Sequence, residues 1–235
     1  PVRYIGVLGF RVQIATIVTT IAMGLSVFFG LLGGIEWQKE KKEPLYLMDK
    51  AKIYVSNPIT FEKKVRNVSS ELGIQPEWLM SVMYSESRFN HQAENLKGSG
   101  AVGLIQFMPA TAMEMGTSTS ALSRMSNLEQ LDWVYSYLNG YKKLYGDYKS
   151  LCDLYLAILF PRAREGDYCY TLYAKPSKAY SQNAGLDEDK DGRVTVGDID
   201  KRMKRVFPKG YIAGQTEQQA DTITTYKYNE SFTTN

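Results

Sequence analysis

The stretch from Val12 to Ile35 contains no charged side chain. As a helix it would be about 36 Å long, more than the roughly 30 Å of a bilayer's hydrocarbon core. No other feature limits the chain so strongly, because an uncharged run of this length must be covered by lipid or by protein. It reads as an N-terminal transmembrane helix, with residues 1–35 forming an uncleaved anchor. A cleaved signal peptide would have a shorter apolar core ending in small residues, whereas this run continues through Phe28-Phe29-Gly30-Leu31-Leu32. A buried hairpin or a helix packed in an assembly is the remaining alternative, and Gly30 and Gly34 have the spacing of a helix-packing face. Arg3 and Arg11 precede the run, while Lys39, Lys41, Lys42, Lys50 and Lys52 follow it. By the positive-inside rule the rest of the chain would then lie in the cytoplasm.

Residues 36–59 are charged and mixed, with Pro44 and Pro58 as breakers, and read as a linker. A helical scaffold follows. Phe61, Val65, Val68 and Leu72 repeat at helical spacing. Gly73 stands where a helix C-terminus is capped, and Pro76 suits the first turn of the next helix. On that next helix Trp78, Leu79, Val82 and Met83 form an apolar stripe, and Glu86 falls at its end. A carboxylate so placed is either paired or has its pKa raised by desolvation. Arg88 or Lys97 would serve a structural ion pair; without one, Glu86 is a candidate general acid.

After a glycine-rich turn, Gly98 to Gly103, comes Gly103-Leu104-Ile105-Gln106-Phe107-Met108-Pro109. Glycine admits close backbone approach, and the Gln106 amide both donates and accepts hydrogen bonds. An acid followed by such a strip is what a glycan-cleaving cleft requires. Pro109 begins a short helix that Gly116 can end. Ser126 and Glu129 form a capping box before Leu131, Val134 or Tyr135, and Leu138. Leu151, Leu154, Tyr155, Ile158 and Leu159 mark another helix, ended by Pro161.

Two runs, Glu86-Ser87-Arg88-Phe89-Asn90 and Ala101-Val102-Gly103-Leu104-Ile105-Gln106-Phe107-Met108-Pro109-Ala110-Thr111-Ala112, together with Leu72-Gly73-Ile74 and Trp78-Leu79, resemble the soluble lytic transglycosylase family. The likeness spans about residues 60–165. It implies a mostly α, lysozyme-like domain, placed here at 60–175, that acts on peptidoglycan. Carried over by position, Glu86 would be the catalytic acid/base. Ser87 would support its neighbourhood, and Gln106 would line the cleft with the neighbouring backbone of Leu104 and Met108. The family also sets a tyrosine hydroxyl beside the glutamate, for which Tyr168 and Tyr180 are candidates. Its third motif, Ala-Tyr-Asn-Ala-Gly, is absent; the chain has Ala157-Ile158-Leu159-Phe160-Pro161 instead.

Hydrolytic glycosidases usually flank the scissile bond with two carboxylates, yet no Asp or Glu lies between Asn95 and Met113. One raised-pKa glutamate suffices if the substrate's own C6 hydroxyl is the nucleophile, since a tethered group needs no activated water. Cleavage of the MurNAc-GlcNAc β-1,4 bond with 1,6-anhydro ring formation is therefore expected. A hydrolytic muramidase using Asp132 or Asp153 is one alternative, and an inactive glycan-binding structural protein of lysozyme-like fold is another.

Asp187 to Asp198 matches a twelve-residue EF-hand-like loop. Asp187, Asp189 and Asp191 hold positions one, three and five, Gly192 makes the turn, and Arg193 offers a backbone carbonyl. Asp198 replaces the usual final Glu with a shorter arm. Residues 176–210 thus read as a segment holding a structural Ca2+, and the chemistry itself needs no cofactor. Ile199, Met203 and Val206 give the following helix its apolar side. Residues 211–235 form a polar tail suited to docking on other virion or envelope proteins.

A net charge of +3 gives no case for nucleic acid, and a lone histidine, His91, argues against a histidine metal site or a Ser-His triad. Cys152 and Cys169 either pair or remain thiols. An enzyme of the wall cannot work from the cytoplasm. A bacteriophage virion, whose membrane is not built by ordinary translocation, resolves the conflict of orientation; a bacterial envelope is the rival setting.

Overall fold

The computed structural model describes residues 43–95 and 98–212. The anchor at 1–35, the first part of the linker, Lys97 and the tail beyond 212 lie outside the described residues. Among the described residues no helix is long and apolar enough to cross a membrane.

The fold is mostly helical. In chain order come α1 (Met48–Ala51), α2 (Pro58–Leu72), α3 (Pro76–Ser87), α4 (Pro109–Glu114), α5 (Thr119–Ser123), α6 (Asn127–Tyr145) and α7 (Leu151–Leu159). A 3-10 turn, Pro161–Glu165, leads to β1 (Thr171–Ala174); then follow α8 (Lys178–Asn183), a second 3-10 turn at Ala184–Leu186, β2 (Arg193–Thr195) and α9 (Val196–Val206). The two strands pair antiparallel, with Thr171 opposite Thr195 and Ala174 opposite Arg193.

Local chemistry sets the helix limits. Asn57 caps α2 by accepting from the Thr60 amide at 3.1 Å, and Gly73 ends it at φ 69°. That positive φ is open to glycine at little steric cost. Pro76 opens α3, and Ser126 with Glu129 forms a reciprocal capping box at the start of α6. Phe61, Val65, Val68 and Leu72 are buried as their spacing requires, and α2 packs against α3 and α6.

The stripe expected on α3 widens into burial all round. Met80 and Ser81 are buried along with Trp78, Leu79, Val82 and Met83, so α3 is the central helix, packed on α2 and α7. Two boundaries also shift. The described end of the linker sends Leu45, Met48, Ala51 and Val55 into the core. The segment from 176 is no appendage either, because Val194, Val196, Ile199, Met203 and Phe207 belong to the same buried cluster. Val206, expected on the apolar side of α9, is 39% exposed, and Phe207 is buried in its stead. Cys152 is a buried free thiol and Cys169 an exposed one.

Candidate active site

Glu86 is the last residue but one of α3. The helix stops directly after it because Arg88 and Phe89 both take left-handed backbone, at φ 55° and 67°. For residues with a Cβ this costs about 1 kcal/mol or more each, so the surroundings must enforce it. The Phe89 side chain is fully buried, its ring 5.6 Å from that of Tyr84 and 6.3 Å from that of Phe61. Its carbonyl accepts from Asn127 Nδ2 at 2.8 Å. The Arg88 guanidinium lies 4.4 Å from the centre of the Tyr84 ring. Among the described residues, then, Arg88 is not an ion-pair partner for Glu86, and Glu86 makes no salt bridge.

The carboxyl of Glu86 is half-buried, open to a cleft and otherwise enclosed by protein. Burial pushes its pKa up from 4.5 to about 7, against the opposing effect of a hydrogen bond from the Tyr155 hydroxyl. Tyr155 reaches it from the middle of α7, and the phenol's own pKa is raised, first by burial and then by the nearby Glu86. The only hydrogen-bonding partner among the causes of the Glu86 shift is therefore a neutral donor, which leaves the carboxyl able to hold a proton near neutrality.

The glycine strip is a tight turn. Val102 and Phe107 exchange backbone hydrogen bonds of 3.1 and 2.8 Å, and the Gln106 amide donates to the Gly103 carbonyl at 3.0 Å. Gly103 sits at φ 84°, and a Cβ there would come within 2.4 Å of Gln130 Oε1. Gln130, fully buried on α6, clamps the turn: its Oε1 accepts from the Leu104 amide at 2.9 Å, and its Nε2 donates to the His91 and Leu122 carbonyls. Ser87 Oγ ties the turn to the end of α3 by donating to the Leu104 carbonyl at 3.0 Å and to the Met83 carbonyl at 3.1 Å. Gln106, at φ 55°, donates from Nε2 to the Ala93 and Gly103 carbonyls. This fixes its amide nitrogen and leaves Oε1 as the side chain's acceptor.

The cleft has a volume of about 680 Å³. Glu86, Gln106 and Met108 line it, with Glu94, Asn95, Ser99 and Ala101 from the loop before the turn. Ile158 and Leu159 at the end of α7, Tyr173 of β1, and Gln182 and Asn183 of α8 form the remaining wall. Where the third motif is missing, the wall is thus made by two aliphatic side chains backed by Tyr173, whose ring lies 5.7 Å from that of Phe160.

Several expected site residues stand elsewhere. Ser87 and Leu104 are buried and bonded within the turn, so they shape the site and do not line it. Tyr168 borders a separate depression beside Cys152 and Asp200, and the Tyr180 hydroxyl is bonded to Asp187. Tyr155 occupies the place beside Glu86 that those two were expected to fill. Asp153 is held by Arg164 at 2.6 Å and Asp132 by Lys64 at 2.7 Å, and neither lines the cleft. The carboxylate that does share the cleft is Glu94, one residue before the acid-free interval. Tyr155, Gln130, Glu94 and Tyr173 carry no local signal, because each joins the site through tertiary packing.

In the loop from Asp187 to Asp198, carboxylate oxygens of Asp187, Asp189 and Asp191 lie within 4.8 Å of one another. Asp198 is not gathered with them. Its Oδ1 accepts from the Glu188 amide and its Oδ2 from the amide and hydroxyl of Thr195, so the short arm closes the loop and caps α9. Arg193 lies in the strand ladder opposite Ala174.

The geometry around Glu86 belongs to a stretch with a known counterpart. Residues 64–159 match the family model of the transglycosylase SLT domain. The match takes in Glu86, the Gly103 turn, Gln130 and Tyr155 but less than half of the chain, and it is to this stretch that the likeness to peptidoglycan-degrading lytic transglycosylases applies.

Proposed function

We propose that the domain is a lytic transglycosylase that cuts the MurNAc-GlcNAc β-1,4 bond of peptidoglycan, with Glu86 as both acid and base. The observation that carries this reading is a cleft carboxyl raised to about 7 by burial, with a neutral tyrosine as its hydrogen-bonding partner. Glu86 gives its proton to the glycosidic oxygen as the bond from that oxygen to C1 breaks. The C6 hydroxyl of the same sugar then attacks C1 and passes its proton to the Glu86 carboxylate. One C–O bond breaks, another forms, no water is consumed, and the acid is regenerated. Gln106 Oε1 suits an N-acetyl or hydroxyl donor of the glycan.

In this reading residues 12–35 anchor the enzyme in a lipid membrane, and the tail beyond 211 docks on neighbouring proteins. A phage virion, opening the wall as the genome enters, reconciles the anchor with the lysines that follow it. Flotation with lipid vesicles of the full chain, lost on deleting 1–35, is the outcome expected for the anchor.

One observation favours a second reading. Glu94 lines the same cleft and is a candidate base for hydrolysis by water. Turbidity assays on purified cell walls separate the two. Ring closure expects Glu86→Gln to slow clearing by roughly 10²- to 10⁴-fold while Glu94→Gln keeps most of the rate. Equal loss in both variants would instead support hydrolysis. Glycan binding by the wild type without any clearing would leave only a binding protein.

A further inference from the structure

The loop at 187–198 stands apart from the chemistry of Glu86, yet it contains an unresolved electrostatic problem. Three aspartates, 187, 189 and 191, converge there. Asp189 and Asp191 are spent partly on the loop's own amides, accepting from Asp191 N at 3.2 Å and Arg193 N at 2.8 Å, and Arg193 also pairs with Asp191. Asp187 is only 7% exposed. Its Oδ2 accepts from the Tyr180 hydroxyl at 2.7 Å and from the Gly192 amide at 3.0 Å, but its Oδ1 is buried with no hydrogen-bond partner. A buried carboxylate oxygen left bare is costly. A hard divalent cation with oxygen ligands at 2.3–2.6 Å is the partner that three convergent carboxylates can hold.

The loop is also joined to the cleft in two ways. Tyr180, which holds Asp187, lies on α8, the helix whose last two residues, Gln182 and Asn183, line the cleft. Loop residues Arg193 to Thr195 are strand β2, paired with β1, which carries the cleft residue Tyr173. Both elements of the cleft wall beyond α7 therefore rest on the loop.

We infer that Asp187, Asp189 and Asp191 bind one Ca2+, and that the ion orders the cleft wall formed by β1 and α8. That this wall faces glycan rests on the function proposed above; the ion and the ordering do not.

The test uses the full chain, stripped with chelator and returned to calcium chloride. Isothermal titration is expected to show one site, lost in Asp189→Ala, whose side chain is exposed and whose loss leaves the core intact. Hydrogen exchange followed by mass spectrometry reads the wall directly. If opening releases the ion, amides of 171–183 slow by roughly 100-fold at a calcium concentration 100 times Kd, while those of α2 and α6 change little. Absence of a calcium isotherm, or an isotherm unchanged in Asp189→Ala, overturns the site. Calcium binding with unchanged exchange over 171–183 overturns the ordering. Neither readout depends on turnover, so a failure here is distinct from a failure of the lytic reading.

Discussion

At the scale of single residues, Glu86 combines two requirements that usually conflict. Acid catalysis needs a carboxyl that keeps its proton near neutral pH, and burial supplies this by raising the pKa to about 7. The same burial makes the ionised form a liability. Because the folded pKa lies above the ordinary 4.5, the folded chain holds a proton that the unfolded chain releases between those values. Stability from this group is complete below about pH 4.5 and is lost as the pH rises through 7. Glu86→Gln should therefore be more stable than wild type at pH 8–9, by about 3 kcal/mol, and little different at pH 4. Urea denaturation at the two pH values checks this. Tyr155→Phe removes the donor that holds the Glu86 pKa down, so the pH limb of its activity should move upward from the wild-type position, as a pH-rate profile would show. Glu86 itself was legible because its helix and apolar stripe are local. Tyr155 was not, because it lies on another helix and its spacing there reads equally well as core.

At the scale of elements, the cleft depends on a turn whose parts come from distant points in the chain. Gly103 could be recognised as a turn residue, but the reason for a side chain as small as hydrogen is Gln130 on α6. Gly103→Ala combines left-handed backbone with a Cβ at 2.4 Å from Gln130 Oε1, and should cost about 3 kcal/mol. Denaturant midpoints check this, and a loss below about 1 kcal/mol would mean that the turn yields easily. Gln130→Leu should unseat the Leu104 amide and lower glycan affinity without moving the pH profile set by Glu86 and Tyr155. Helix ends were readable because caps such as Ser126 with Glu129 act over three residues. The wall opposite Gln106 was not, because Tyr173, Gln182 and Asn183 reach the cleft through tertiary contacts, among them the pairing of β1 with β2 and the hold of Tyr180 on Asp187.

At the scale of the whole molecule, the described residues from Pro44 onward belong to one compact unit, in which the segment carrying the acidic loop packs through α9 on α7. Since α7 also carries Tyr155, the loop, the cleft wall and the acid share one scaffold. The missing third motif of the family is replaced by Ile158 and Leu159, with Tyr173 beside them, so this wall offers fewer polar groups to a sugar than a Tyr-Asn pair would. The proposed mechanism rests on Glu86 and on a nucleophile supplied by the substrate itself. Digestion of purified peptidoglycan in ¹⁸O-labelled water, followed by mass spectrometry of the fragments, tests that directly. Ring closure predicts 1,6-anhydro ends with no label, produced by wild type and lost in Glu86→Gln; reducing ends carrying ¹⁸O would contradict it and assign the chemistry to hydrolysis.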